Sequence, residues 1–297
     1  MGHQHGHHHT TKNIKVAFFL NLAFTVVEII GGIYTNSLAI MSDAVHDLGD
    51  SLSLGMSWYF QKLSNKDANK KYSYGYGRFS LLGAIINSIV LTVGSVFIIS
   101  EAIPRIINPE DADAHGMMWL AILGIIVNGA AVFKLKKGSS INERVVSLHL
   151  FEDVLGWFAV LIASIVMQFW NIPILDPILS LAIAGYILFN VFRNIKESFK
   201  IILQGVPNEI SSDEIKKQII KNIEEVEDIH DCHIWTLDGE FHIATIHITI
   251  NDKVFSWHKS KEIKEKIKKL LHDSFHLEHV TLELESNLED CGYKNCN

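Results

Sequence analysis

The sequence is short of positive charge. Its 26 Lys and Arg stand against 33 Asp and Glu, for a formal charge of -7, so the basic footprint that nucleic acid requires is missing and no nucleic-acid partner is expected. Cysteine is scarce as well. The three present, Cys232, Cys291 and Cys296, all come late and do not make the paired framework of a secreted scaffold, so a reduced, cytosolic setting for the tail is the simpler reading. No HExxH occurs, which removes the ligand-plus-base arrangement of a zinc hydrolase and with it an intramembrane metalloenzyme. The opening MGHQHGHHH has no apolar run directly behind it and no Arg, so it fits neither a signal nor a transit peptide. Two readings stay open for residues 1–12: an expression tag, or a flexible metal-collecting tail.

Long hydrophobic runs, by contrast, are plentiful. A mean hydropathy of +0.20 is high for a soluble protein and low for a wholly embedded one, which predicts a membrane part joined to a soluble part. Most charge-poor sequence lies before Leu203, and Gln204–Asn297 is rich in Lys, Glu and Asp. Six segments reach the roughly 20 residues needed to cross a bilayer: about Ile14–Tyr34, Leu38–Phe60, Phe79–Ile103, Gly116–Phe133, Val145–Phe169 and Ile174–Phe192, the last running on to about Leu203. The expected organisation is a six-span helical bundle over 13–204 and a cytoplasmic α+β domain over 205–297. Lys62, Lys66, Lys70, Lys71 and Arg78 follow span 2, and Lys134, Lys136, Lys137 and Arg144 follow span 4, while the opposite connections are short or acidic. The positive-inside rule therefore puts both termini in the cytoplasm.

After Gly205-Val206-Pro207 the pattern changes. Ser211 and Ser212 offer an N-cap, and Ile215, Ile219, Ile220 and Ile223 make a helical stripe. IHDCHIWTLD and EFHIATIHITI alternate like strands around Gly239, a helix follows over about Ser256–His272, and HVTLELES closes as a strand. The order αββαβ predicts a three-stranded sheet with helices on one face.

Chemistry enters in MSDAVHDLGDSLSLG, Met41–Gly55, which continues span 2 and holds Asp43, His46, Asp47 and Asp50. On a helix, the spacing i, i+3, i+4, i+7 sets all four on one stripe. Charges at mid-membrane cost roughly 2.5–3.5 kcal/mol each, so they face a partner, a cavity or a pathway. Span 5 carries a matching pair, His149 and Asp153, in SLHLFEDVLGW. Each pair is HxxxD, one turn apart on one helix face. Opposed, the two faces supply two imidazole nitrogens and two carboxylate oxygens, a tetrahedral set suited to Zn(II) and acceptable to Co(II) or Cd(II). Mg(II) wants octahedral oxygen, and Cu(I) wants thiolates that are absent. The competing explanation has each His bonding its own Asp and merely tying helices, but duplication on separate spans favours metal.

Ligation needs neutral His and ionised Asp, so metal and protons compete for the same groups. A site open to each side in turn would exchange a metal ion for protons. Asn21, Asp43 and Asp47 are candidate accessory residues: Asp43 is read near the outer end of span 2, beside the path of a leaving ion. Asn21 and Glu28 in span 1 and Asn87 in span 3 read as packing or water contacts before ligands. Asp176 begins span 6 in a DP step, where helix capping explains it equally well.

In the soluble part, strand phase puts Ala244, Ile246, Ile248 and Ile250 on one face and His247 on the other. The same argument separates Val280, Leu282 and Leu284 from Glu283 and Glu285. His247, Glu283 and Glu285 thus share a surface away from the helices. The phase of IHDCHIW leaves His230 and His233 undecided.

The motifs NLAFTVVEIIGG, SLAIMSDAVHDLGD, YSYGYGRFSLLGAIIN, SLHLFEDVLGW, DPILSLAIAGYIL, LQGVP and HDCHIWTL, in that order, resemble the cation diffusion facilitator family, in its zinc-transporting branch. The resemblance covers nearly the whole chain after the His-rich start. It implies a homodimer of six-span subunits in the bilayer, with a metallochaperone-like cytoplasmic domain, exporting Zn(II) in exchange for protons. His46, Asp50, His149 and Asp153 match the family's transport ligands, and His at position 46 is associated with discrimination against Cd(II). Asp47 departs from the family, which usually has an uncharged residue there. The resemblance also implies regulatory zinc in the cytoplasmic domain, with His230, His247, His258 and Glu285 as the best matches and acidic residues at 283 and 285 where some relatives have His and Asp. Cys291 and Cys296, in CGYKNC, are a weaker thiolate candidate. Without a His-rich loop after span 4, a prokaryotic plasma membrane is expected. The rival readings are broader efflux of Cd(II), Co(II) or Ni(II), and a membrane-tethered metal sensor.

Overall fold

The computed structural model of the chain describes residues 7–64, 66, 68–135, 141–251 and 256–286; the side chains at 7–17, 54, 57, 58, 61, 134, 135 and 141–146 fall outside that description. The CGYKNC candidate and the His-rich start therefore lie outside the described side chains. The chain divides into two compact units, one of Met1–Lys62 with Leu82–Ile195, the other of Leu63–Leu81 with Lys196–Asn297.

Six long helices make the membrane part: α1 (His7–Thr35), α2 (Leu38–Ser64), α3 (Phe79–Ile107), α4 (Ala114–Leu135), α5 (Ile141–Trp170) and α6 (Leu175–Ile202). Five contain stretches long and apolar enough to cross a bilayer: Phe18–Thr35, Phe79–Ile107, Ala114–Phe133, Ser147–Trp170 and Leu175–Ile202. α2 has 27 residues, ample for a span at about 1.5 Å per residue, but Asp43, Asp47 and Asp50 dilute its apolar character. Outward-facing residues are large and greasy. Phe19, Ile33, Val93, Phe97, Ile162, Phe169 and Phe189 are all exposed, as suits helices solvated by lipid rather than water.

The interior of this unit is keyed by Trp157. It is fully buried with Phe24, Ile40, Met117, Ala121 and Val160, and its ring meets Phe24 edge to face at 5.7 Å. Gly124 on α4 makes room for the indole, since a Cβ there would collide with the ring. Gly124→Ala is therefore expected to cost about 1–3 kcal/mol by overpacking. A melting temperature in detergent equal to that of the parent would show that α4 and α5 separate without cost.

The second unit holds α7 (Ser212–Asn222), β1 (Val226–Thr236), β2 (His242–Ile250), α8 (Trp257–Phe275) and β3 (Leu277–Ser286), the expected αββαβ order. Ser211 and Ser256 cap the two helices, accepting from the Glu214 and Lys259 amides. The sheet runs β1-β2-β3. β1 pairs with β2 antiparallel through a hairpin in which Gly239 takes a positive φ of 104°, a conformation glycine adopts without steric cost. β2 pairs with β3 in parallel, which requires a crossover, and α8 supplies it. One sheet face buries Ile229, Ile234, Ile246, Ile248 and Leu282 against Ile215, Ile219, Ile263 and Ile267 of the helices. Ile220 does not join this stripe and is exposed, because it lies one position off the buried i, i+4, i+8 row.

Candidate metal centres

In the membrane unit, HxxxD on α2 and HxxxD on α5 are brought face to face. His149 Nε2 lies 2.7 Å from Asp50 Oδ2, His46 Nε2 lies 3.6 Å from the same oxygen, and His46 Nε2 is 3.9 Å from Asp153 Oδ1. The imidazole rings of His46 and His149 meet at 5.7 Å. His149 thus bonds the Asp of the other helix, so the pairs are crossed, and the explanation in which each His serves only its own Asp does not describe this geometry. Ligand atoms of His46, Asp50 and His149 all fall within 4.8 Å of one another, with Asp153 joining through His46. Tetrahedral zinc with bonds of about 2.0–2.1 Å sets its ligand atoms about 3.3 Å apart. Two of the three separations are near that edge, and the third is a hydrogen bond that a cation would replace.

The surroundings hold this cluster in place. Asn21 on α1 donates to the Asp47 carbonyl at 3.3 Å and the Ser51 hydroxyl at 3.2 Å, positions adjacent to His46 and Asp50, so it pins α2 to α1 rather than reaching the cluster. Asp43 is buried and faces Gly156 on α5, where a Cβ would stand 3.7 Å from its Oδ1. It therefore takes part in the α2–α5 contact. Asp47 is also buried and faces Glu28 on α1. Both oxygens of Glu28, Oδ2 of Asp43 and Oδ2 of Asp47 have no hydrogen-bond donor among the described residues. Asn87 Oδ1 is likewise buried without a donor.

Asp176 caps a helix, but not its own. Its Oδ1 accepts from the Ser37 hydroxyl at 2.5 Å and the Ala39 amide at 3.2 Å, and its Oδ2 from the Leu38 amide at 2.7 Å. A carboxylate at this point satisfies otherwise orphaned amides of α2 and complements the positive end of the helix. The DP step marked a cap in the sequence; its target, 138 positions back, was invisible to local pattern.

In the second unit, the open face of the sheet gathers His230, His247 and Glu285, whose ligand atoms also lie within 4.8 Å of one another. Glu285 bridges the histidines, with Oε2 at 3.0 Å from His230 Nε2 and Oε1 at 2.6 Å from His247 Nδ1. Glu283 approaches His247 at 3.4 Å from a more exposed position. The undecided phase of β1 has a structural cause: a bulge between His230 and His233, with Asp231 at φ 45°, a left-handed geometry that Asp tolerates better than most residues. The extra residue lets Ile229 and Ile234 both face the core and leaves His230 and His233 both on the open face. Sequence reading missed Asp231, which lies 3.4 Å from His247 and 2.8 Å from His233. His258 is a correction in the other direction. It is exposed in the first turn of α8, outside the His230–His247–Glu285 group, because α8 packs on the face of the sheet opposite to that group.

Residues 14–203 match the cation efflux transmembrane domain family, and 207–287 match the cytoplasmic domain of cation efflux proteins. The chain belongs to the cation diffusion facilitator family. It is 32% identical over 292 residues to a cadmium, cobalt and zinc/H(+)-K(+) antiporter of Bacillus subtilis, covering 96% of this chain and 92% of the relative. It is 31% identical over 290 residues to the metal cation efflux system protein CzcD of Cupriavidus metallidurans, covering 96% and 90%. A zinc transporter ZitB of Pectobacterium atrosepticum matches at 31% over 301 residues, covering 100% and 92%. The family makes this chain a multi-pass membrane transporter of metal cations with a cytoplasmic dimer-type domain, and not an enzyme.

Proposed function

We propose that this transporter exports Zn(II) from the cytosol in exchange for protons, with His46, Asp50, His149 and Asp153 as the transport ligands. The observation that carries the proposal is the convergence of those side chains, two nitrogens and two carboxylates, from two helices of the membrane unit. All four groups lose the metal when they take up protons, so cargo and counter-ion use one site. The Bacillus relative's name includes H(+) and K(+); protons are favoured here because the ligands themselves titrate. The test is zinc flux in proteoliposomes with internal pH recorded at the same time. Uptake that rises with an outward proton gradient, with protons leaving as zinc enters, is expected, and uptake indifferent to the gradient would refute exchange. Both termini are assigned to the cytoplasm by the Lys and Arg that follow α2 and α4, and the chain to a prokaryotic plasma membrane. The relatives named for cadmium and cobalt support a broader specificity as the second reading, and metal competition with His46→Asp separates the two.

A second zinc is proposed at His230, His247 and Glu285, with Asp231 and Glu283 at its margin. Its role would be regulatory, drawing the cytoplasmic domains of a homodimer together. The buried bridge formed by Glu285 supports this reading, since two imidazoles and a carboxylate match zinc's preferred donors.

A further inference from the structure

Residues 68–78, ahead of α3, belong to the second unit. Asn69 Oδ1 accepts from the amides of Lys71 and Tyr72 at 2.8 and 3.0 Å, Asn69 Nδ2 donates to the Tyr76 hydroxyl at 2.8 Å, and Gly75 turns the chain at φ 76°. Tyr72, Tyr76 and Phe79 pack ring on ring, at 4.7 Å between the tyrosines and 5.5 and 5.2 Å to the phenylalanine. This hairpin-like segment covers one end of the open sheet face. Tyr74 meets the ring of His279 at 5.8 Å, and Ile243, His279's partner in the strand register, is fully buried although it points away from the helices.

Between this segment and the sheet is a pocket of about 400 Å³ whose walls include Lys71, Arg78, Tyr72, Tyr74, Gln204 and Trp235. Among the described residues no Asp or Glu forms its wall, and the Asp238 carboxylate stands behind Gly77, 3.4 Å from where a Cβ on that glycine would be. The Lys and Arg ion pairs among the described residues are those of Arg105, Lys261 and Lys266, so neither cation of the pocket is held in an ion pair; Lys71 sits 5.5 Å over the Tyr72 ring. Two such cations, an amide and aromatic walls with hydroxyl and indole donors form a site for a phosphate-bearing anion. Its place along the chain narrows the source. Phe79, which also lines the pocket, is the first residue of α3, and Gln204 comes two residues after α6 ends. The start of an apolar span such as that of α3 lies at the headgroup layer, where Tyr and Trp concentrate and where anionic lipid attracts Lys and Arg.

We propose that this pocket binds a phosphate group of this kind, supplied by an anionic lipid headgroup or by soluble phosphate. The pocket is distinct from the histidine group of the sheet. Along β2, Ile243 at the covered end and His247 in the histidine group are four residues apart, about 13 Å at strand rise. Native mass spectrometry of the full-length protein, offered phosphatidylglycerol and phosphatidylcholine together, tests it against Lys71→Gln/Arg78→Gln. Preferential retention of phosphatidylglycerol by the parent is expected, reduced in the double variant by about 25-fold, or about fivefold per cation. Lys268→Gln/Lys269→Gln, an equal charge change on the exposed side of α8, should retain lipid like the parent. Millimolar inorganic phosphate in the absence of lipid provides the second arm. Phosphate adducts that vanish in the double variant assign the site to a soluble anion, while lipid retention undisturbed by phosphate assigns it to the headgroup. Zinc binding by the double variant, equal to that of the parent, checks that it is folded. Equal retention of the two lipids with no phosphate adduct, or a folded double variant that retains as much as the parent, would overturn the proposal.

Discussion

His149→Ala is expected to abolish zinc flux in proteoliposomes and to lower the zinc content of the purified chain from two ions to one. On the proposed assignment the substitution removes one of two nitrogen donors, and it leaves Asp50 Oδ2 without its 2.7 Å partner. Affinity at the membrane cluster should fall by more than the roughly 10–100-fold that loss of an outer-shell partner costs, since a ligand itself is gone. The remaining ion should be that of the cytoplasmic domain, displaced in turn by His247→Ala. A His149→Ala protein that transports at the parental rate would sink the assignment of the membrane site. One that binds no zinc at all would sink the second site instead.

Asp176→Ala should be nearly as damaging although Asp176 touches no ligand. Three hydrogen bonds to one carboxylate start α2; each bond to a charged group contributes about 1.5–3 kcal/mol, less when they share one acceptor. A loss of about 3–5 kcal/mol is expected, concentrated in the first turn of the helix that presents His46 and Asp50. Amide hydrogen exchange should accelerate at Leu38, Ala39 and Ile40, and flux should fall with it. Asp176→Asn keeps the acceptor and loses the charge, so it should recover part of both. Unchanged exchange at those amides, with flux lost, would mean that Asp176 acts on the ion and not on the helix.

Much of this organisation is visible in the residues because its causes are local. Long apolar runs place six helices and alternation places three strands. The four-residue spacing of His46 with Asp50 and of His149 with Asp153 marks two helix faces that the fold then opposes. What escaped reading depends on distant parts of the chain or on one-residue irregularities. Asp176 shows a cap by type but not the helix it caps. The bulge at Asp231 shifts phase within a strand, so strict alternation has no means of choosing between His230 and His233. His258 was attached to the cluster by motif position, and helix packing on the other face of the sheet keeps it away.

The crossed arrangement of the two HxxxD pairs bears on how such a protein moves. α2 and α5 share the buried apolar core around Ile40 and Trp157, and at the cluster what spans them is a set of polar side-chain contacts. On the proposed assignment, the transported ion is then a removable crosslink between two helices at the point where polar side chains alone meet. Loading would fasten the joint and protonation would unfasten it, so the cargo itself would set how stiff its carrier is.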